Sequence, residues 1–238
     1  MKRLGLSMDK VKAIFVSHEH SDHIRGIPVL ARKHRLPVYI TPGTLHNARL
    51  DVSGVSIAHF QAYEAVQVGA LSVTAFPKLH DALDPHSFMI SCKGIKVGVL
   101  TDIGAPCDHV IQHFQECHAA FLEANYDEGL LERGSYPYYL KNRIRGGRGH
   151  LSNRQALSLF AAYKPSHMTH LLLSHLSKDN NCPDLVQELF MPHADGTEII
   201  VASRFEETPV FCINGERDHP LKAQSPVGKQ ISLFGTIE

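Results

Sequence analysis

Residues 18–23, His-Glu-His-Ser-Asp-His, place three histidines and two carboxylates within six positions, between an apolar stretch and a helix-like one. Because alternate residues of an extended chain point the same way, His18 and His20 can hold one cation. Asp22 and His23 lie where the chain turns into the helix, so they can reach a second cation. The chain holds 17 histidines, so a chance cluster in a polar loop is the alternative, but the spacing and context favour a metal site.

The donor types indicate which metals suit this site. Imidazole and carboxylate are ligands for zinc, manganese or iron, and no thiolate lies nearby in the sequence. Two neighbouring divalent cations are typical of a hydrolytic centre rather than of a structural one. We therefore expect two divalent metal ions as cofactors, zinc or manganese, with iron as a further possibility.

The pattern His-x-His-x-Asp-His between a strand and a helix resembles the metallo-β-lactamase superfamily. Residues 13–26 resemble its YycJ/WalJ-type branch of presumed nucleases. The resemblance implies an αββα sandwich with metals at one edge of the two sheets. Members usually begin with a β-hairpin carrying an Asp-x-Gly segment, which is absent here. We therefore expect either an N-terminally short sandwich or a recorded start that lies downstream of the true one.

Composition is that of an ordinary globular protein. The 238 residues are 43% hydrophobic and 20% charged, which fits one domain over 1–238 with a loose tail at 220–238. The five cysteines are odd in number and form no Cys-x-x-Cys pair, so a disulfide framework is not indicated and a reducing cytoplasm fits best. No apolar stretch reaches membrane-spanning length. Lys plus Arg and Asp plus Glu both total 24, so nucleic-acid affinity requires a local patch.

Apolar runs with β-branched residues alternate with amphipathic stretches, which predicts an α/β layered domain. The predicted strands are 11–17, 36–40, 55–60, 65–68, 71–76, 86–91, 96–101, 119–124, 168–174, 198–202 and an edge strand at 210–213. The predicted helices are 21–34, 42–50, 106–114, 127–133, 136–144, 153–163 and 183–191.

Further ligands stand at the ends of later strands. His80 comes after the predicted strand 71–76, Asp102 comes directly after 96–101, and His175 comes directly after 168–174. Asp81 and His86 compete with His80 for the same role. The family resemblance implies a bridging aspartate and two ligand sets. These are His18, His20, His80 and Asp102 on one ion, and Asp22, His23, Asp102 and His175 on the other.

Residues 141–153 concentrate cations and glycines just before a predicted helix. Ser152 and Gln155 form a capping-box pattern, so free amides at the helix start could meet a phosphate. By resemblance to the His-Leu-Ser-Asn segment of the family, His150 would lie beside the scissile group, as a proton donor or a ligand of a phosphoryl oxygen. The alternative is a solvated basic loop. The predicted substrate-binding residues are Arg143, Arg145, Arg148, Ser152 and Asn180.

The resemblance extends to about residue 204 and implies metal-dependent phosphodiester hydrolysis, with DNA as substrate and exonuclease action. In this mechanism Asp22 orients a metal-bridging hydroxide for attack on phosphorus. One alternative is a phosphodiesterase for small substrates. Another is a lactonase or thioesterase of the glyoxalase kind, which the absence of a Gly/Pro-rich turn around His80 disfavours. A non-catalytic metal-binding module is a third.

Overall fold

The computed structural model describes residues 2–214. Eight helices and ten strands lie within this range, together with short 3₁₀ turns at Lys2–Leu4, Met8–Lys10 and Met191–His193. The strands are β1 Ile14–Phe15, β2 Val38–Tyr39, β3 Ile57–Ala58, β4 Ala65–Val68, β5 Leu71–Pro77, β6 His86–Cys92, β7 Ile95–Leu100, β8 Ala119–Glu123, β9 His170–Ser174 and β10 Glu198–Val201. The helices are α1 Ser21–Ile24, α2 Ile27–His34, α3 Pro42–Ala48, α4 Asp108–Phe114, α5 Glu128–Arg133, α6 Tyr138–Arg145, α7 Asn153–Tyr163 and α8 Pro183–Phe190.

The strands form two sheets. β1, β2 and β3 make a small parallel sheet, and the other seven pair in the order β10-β9-β8-β7-β6-β5-β4. In the larger sheet β4 to β7 pair antiparallel, whereas β7 to β10 pair parallel. β5 therefore runs in the same direction as β7, β8 and β9. The chain leaves all four strands at the same edge of the sheet.

Apolar side chains join the layers in the order helix, sheet, sheet, helix. Phe15 of β1 stacks on Tyr39 of β2 with ring centroids 4.7 Å apart, and it meets Phe88 of β6 edge-on at 5.7 Å. These rings form the contact between the two sheets. A second cluster packs α1, α2 and α3 on the outer face of the small sheet. The largest cluster packs α4, α7 and α8 on the outer face of the large sheet. This αββα arrangement confirms the predicted fold class.

The helix predicted over 21–34 is broken in two. α1 ends at Ile24 and α2 begins at Ile27, with Gly26 between them as the N-cap of α2. Pro28 explains the break, because inside a continuous helix its ring would clash with the carbonyl of Ile24 and it has no amide hydrogen to donate. The break leaves residues 18–24 as a compact loop and single turn after β1.

The predicted edge strand at 210–213 is wrong, since no strand includes these residues. The Phe211 ring instead lies 5.3 Å from the ring of His170. His170 belongs to β9, which has a neighbour on both sides, so Phe211 lies on the face of the sheet rather than at its edge. The predicted loose tail at 220–238 lies outside the described residues. Within 2–214, no helix has the length and apolar character needed to cross a membrane.

Candidate metal centre

Three histidines from two loops converge beyond the ends of β1 and β5. His18 Nε2 lies 3.1 Å from His20 Nδ1, and His80 Nε2 lies 3.3 Å from the same atom. His18 and His80 are fully buried. Three imidazoles that offer nitrogen atoms to one point can hold a divalent cation. The structure thus brings together the three histidines predicted for the first ion.

Asp102 lies beside this group, just beyond the end of β7. Its Oδ1 atom is 3.6 Å from His23 Nε2, 3.4 Å from His175 Nε2 and 4.0 Å from His80 Nε2. Asp102 therefore stands between the two predicted ligand sets. The predicted bridging position is consistent with this geometry.

Two of these side chains are held by unusual backbone conformations. Asp102 has φ 55° and His175 has φ 59°, in the left-handed region that most residues avoid. Each such residue costs about 1–3 kcal/mol and persists only where the surroundings enforce it. His175 follows directly on β9, and Asp102 lies two residues beyond the end of β7. The tight turns direct both side chains back toward the histidines.

Hydrogen bonds at Nδ1 orient several imidazoles. Ser17 Oγ lies 2.9 Å from His18 Nδ1, His80 Nδ1 donates to the carbonyl of Gly149 at 3.0 Å, and His175 Nδ1 donates to Glu123 at 2.8 Å. With Nδ1 engaged in this way, Nε2 is the free nitrogen of each ring and faces the centre of the cluster. Bonds of this kind set the tautomer and orientation of metal-binding histidines.

Glu123 is a functional residue that the sequence analysis missed. It ends β8, is fully buried, and its Oε1 accepts from His150 Nδ1 at 2.7 Å as well as from His175. Its Oε2 accepts from the amide of Ile103 at 2.6 Å. One buried carboxylate therefore positions a candidate ligand and the candidate proton donor together. β8 lies between β7 and β9, so the end of β8 must fall between Asp102 and His175. The position of Glu123 at the end of the intervening strand is the signal that could have revealed this residue.

The electrostatics favour neutral imidazoles at His18 and His80 beside an ionised carboxylate. Burial, with the Lys78 ammonium as the next cause, lowers the pKa of His18 to about 2 and that of His80 to about 4. Burial alone would raise the pKa of Asp102, but His23, His175 and Lys78 hold it below its usual range. Burial alone would lower the pKa of His175, but Glu123 and Asp102 raise it. Lys78 itself is buried and donates to the carbonyl of Thr101 at 2.8 Å. Neutral imidazoles and an ionised carboxylate are the states that bind a cation.

The residues present fit divalent cations. Asp102 Oδ2 is buried and has no hydrogen-bond partner among the described residues. Leaving a carboxylate oxygen unsatisfied in the interior is costly, and a bound cation would satisfy it. The oriented Nε2 atoms around it complete the donor set. The cluster can hold divalent metals, and its chemistry is compatible with zinc, manganese or iron.

The loop that carries His18 and His20 is tied to the rest of the protein by the residue between them. Glu19 Oε1 accepts from Asn47 Nδ2 at 2.7 Å and from the amide of Leu83 at 2.8 Å. The first contact joins the loop to α3, and the second joins it to the loop that follows His80. The two loops that supply the three clustered histidines are therefore held in register.

A cavity of about 360 Å³ opens above the cluster. Asp22, whose side chain is 75% exposed, lies at its edge with Oδ2 3.8 Å from His23 Nε2. Arg143 of α6 forms part of the wall and donates to Asp81 at 2.5 Å. His150 also lines the cavity, with Nδ1 held by Glu123, so its Nε2 is free to face the cavity.

The competitors of His80 have other roles. Asp81 binds Arg143 and lies at the cavity edge, with Oδ1 3.4 Å from His80 Nε2. His86 is buried, donates to the carbonyl of Asp84 at 2.9 Å and meets the Phe60 ring at 5.3 Å. Of these three candidates, His80 is the one that belongs to the cluster with His18 and His20.

Two predicted substrate-binding residues do not face the cavity. Ser152 is fully buried, caps α7 and completes the predicted capping box with Gln155. Asn180 is 1% exposed and packs against Gly134. The amide of Asn153 donates to Tyr126 and that of Gln155 to Ser152, so two of the amides at the start of α7 are engaged within the protein. Both predicted side chains hold loops rather than offering a contact surface.

The other predicted arginines differ in their surroundings. Arg145 donates to Glu132 at 2.9 Å and to Asn142, so its guanidinium is occupied within α5 and α6. Arg148 is exposed, and its backbone packs closely on Gly104. A Cβ atom at position 104 would lie only 2.4 Å from the Cα atom of Arg148. The glycine-rich segment is thus packed against the loop after Asp102. Of the three arginines, Arg143 is the one that lines the cavity.

Comparison with known proteins gives consistent matches. A family model described as a β-lactamase superfamily domain matches residues 1–175. The chain is 32% identical over 189 residues to the exodeoxyribonuclease YycJ of Bacillus anthracis, covering 78% of this chain and 72% of that protein. It is also 32% identical over 184 residues to the exodeoxyribonuclease WalJ of Streptococcus pneumoniae, covering 74% of this chain and 68% of the relative.

Solved structures resemble this fold at low sequence identity. The metallo-β-lactamase fold protein YhfI of Bacillus subtilis superposes with a TM-score of 0.64 at 19% identity, over 84% of this chain and 79% of that one. The short form of human tRNase Z superposes with a TM-score of 0.59 at 15% identity, over 89% and 83%. At these identities the likeness concerns the fold alone.

Proposed function

The chain belongs to the metallo-β-lactamase superfamily and is a metal-dependent hydrolase, and we propose that it is a dinuclear exonuclease acting on DNA. The observation that carries the proposal is the convergence of oriented imidazoles on Asp102, whose Oδ2 is buried without a partner. The YycJ and WalJ relatives are named exodeoxyribonucleases, which supports DNA as the substrate. A DNA substrate and the free cysteines also fit a cytoplasmic location.

Two groups of residues would hold the cations. We assign His18, His20 and His80 to one, and Asp22, His23 and His175 to the other, with Asp102 shared. Divalent cations held there supply an activated water near neutral pH and positive charge for the phosphate oxygens. Asp22 lies at the edge of the cavity, where its carboxylate can accept a hydrogen bond from the attacking water and orient it.

His150 is suited to protonate the leaving oxygen. Its Nδ1 donates to the buried Glu123, so the proton available for transfer lies on Nε2, which faces the cavity. The same hydrogen bond fixes the orientation of the His150 ring. Arg143 stands in the cavity wall with its charge shared with Asp81, and it can bind a non-bridging phosphate oxygen. Arg148, exposed beside the cavity, is the second proposed phosphate contact.

The test compares a small diester with DNA. Purified protein is assayed on bis-p-nitrophenyl phosphate and on end-labelled oligonucleotides, with and without added zinc or manganese. We expect metal-dependent hydrolysis of both, with mononucleotides released from the DNA. Hydrolysis of the small ester alone would contradict the nuclease assignment and favour a small-molecule phosphodiesterase. Activity confined to thioesters or lactones would contradict phosphodiester hydrolysis altogether.

A further inference from the structure

A second cavity opens directly from the metal pocket. It has a volume of about 750 Å³ and shares Asp22, Ile144, His150 and His175 with the first. From these residues it extends along the segments 176–183 and 201–205. A substrate whose scissile bond lies at the metal centre therefore has a continuous space in which to place the neighbouring part of its chain.

The far end of this cavity combines aromatic rings with cations. Phe205 is 84% exposed, and Tyr136 is half-buried, with its hydroxyl donating to Asp179 at 2.8 Å. Lys178 is exposed, whereas Arg204 is fixed to the wall by a bond to the carbonyl of Leu176 at 2.8 Å. The exposed Phe205 ring is available to stack on a ligand in the cavity. Rings for stacking and cations for phosphate are the features that bind unpaired nucleotides.

We propose that this cavity is a subsite for one unpaired nucleotide next to the scissile phosphate, with Phe205 stacking on the base and Lys178 contacting its phosphate. The proposal rests on the nuclease function proposed above and specifies its substrate as a single-stranded or frayed DNA end. The volume is that of a site for one ligand of nucleotide size. The subsite as proposed takes one base, so a paired end has to fray before its terminal nucleotide can enter.

The side chains of the cavity also limit how well the subsite can distinguish one base from another. Stacking on an aromatic ring tolerates every base, because each base has a π face. The polar side chains nearby are mostly engaged within the protein: Asn181 donates to the carbonyls of Ala124 and Asn125. We therefore expect little base preference and a clear dependence on the presence of a base.

The test uses the metal-loaded enzyme and three variants. Phe205→Ala and Lys178→Ala alter the subsite, and Tyr163→Ala is the matched control, since Tyr163 is an exposed aromatic at the end of α7 outside both cavities. Each is assayed on single-stranded oligothymidylate and on bis-p-nitrophenyl phosphate, which has no base. For Phe205→Ala we expect KM on the oligonucleotide to rise about tenfold, with little change in kcat. Hydrolysis of the small ester should stay at the wild-type level.

Two substrates sharpen the result. An oligonucleotide whose terminal residues lack their bases should show the same KM with wild type and with Phe205→Ala, because the stacking partner is gone. A blunt duplex with cross-linked ends should be cleaved far more slowly than a single strand. Equal rates on the cross-linked duplex, or equal KM for wild type and Phe205→Ala on normal single strands, would overturn the subsite.

Binding separates this inference from the nuclease proposal. A fluorescent phosphorothioate oligothymidylate, which resists hydrolysis, is titrated into each variant and followed by anisotropy. Weaker binding by Phe205→Ala than by Tyr163→Ala supports the subsite. Equal binding by both, with DNA still hydrolysed, overturns the subsite and leaves the nuclease function intact. Neither binding nor cleavage of DNA, with the small ester still hydrolysed, overturns both.

Discussion

The floor of the metal pocket and its basic rim are built in opposite ways. The floor, His18, His80, Asp102, Glu123 and His175, is mostly buried, and hydrogen bonds at the Nδ1 atoms of its histidines fix the orientation of the rings. The rim, residues 141–148, is mostly exposed, and its charges pair with nearby carboxylates. The geometry of the floor is therefore fixed by burial. On the rim, by contrast, an arginine can leave its carboxylate partner and bind a phosphate of the substrate instead. Changes in the floor should abolish chemistry, and changes in the rim should tune affinity.

The largest effect is expected at the centre of the floor. Asp102→Asn keeps the size of the side chain but removes the charge that balances the proposed cations. We expect kcat/KM on DNA and on bis-p-nitrophenyl phosphate to fall about a thousandfold or more. Steady-state kinetics measure the loss, and circular dichroism checks that the variant is folded. Activity within tenfold of wild type in a folded variant would contradict the shared role of Asp102.

The next effect concerns the candidate proton donor between floor and rim. His150→Ala should lower kcat on DNA about 10²–10⁴-fold, because the leaving alkoxide needs a proton. The loss on bis-p-nitrophenyl phosphate should be much smaller, since nitrophenolate leaves without one. Parallel assays of both substrates give the ratio. Equal losses on the two substrates would remove His150 from the role of acid and leave it a positioning residue.

A smaller effect is expected at Glu123, which orients the candidate ligand His175 and the candidate proton donor His150. Glu123→Gln should reduce activity or metal affinity about 10–100-fold, the range for residues that orient metal ligands. Metal content and activity are measured together. Because the variant removes a buried charge, its thermal unfolding is recorded as well. Unchanged metal affinity and unchanged kcat would show that the imidazoles hold their orientation without it.

The smallest effect is expected on the rim. Arg143→Ala should raise KM for DNA a few-fold with little change in kcat, and the effect should shrink as salt is added. Arg145→Ala is the matched control, since its guanidinium is occupied by Glu132 and Asn142 outside the cavity wall. We expect it to leave KM near the wild-type value. If the two substitutions raise KM for DNA equally, the rim acts through its overall charge and not through the position of Arg143.

The same contrast explains what the sequence could predict. The floor was predictable because ligand residues stand directly after apolar strands, and strands that run in the same direction end at one edge of a sheet. His80, Asp102 and His175 follow β5, β7 and β9 in this way. Glu123 was missed because it is the last residue of its strand rather than the one after it, and it reads as an ordinary charged position.

The rim was harder because its composition does not say where side chains point. Ser152 and Asn180 stand in segments of the right chemistry, but the structure turns both into the interior. Arg145 likewise points to Glu132, a pairing between α5 and α6 that local sequence does not reveal. The break at Gly26 comes from Pro28, whose effect on the previous turn of a helix can be predicted from the sequence.

Metal stoichiometry shows whether Asp102 is shared by a pair of cations. Purified wild type and Asp102→Asn are stripped with a chelator, titrated with zinc or manganese, and analysed for bound metal after gel filtration. We expect two divalent ions for each wild-type chain and at most one, weakly held, in the variant. A folded wild-type protein that retains no divalent metal, or a variant that retains two as tightly as wild type, would contradict it.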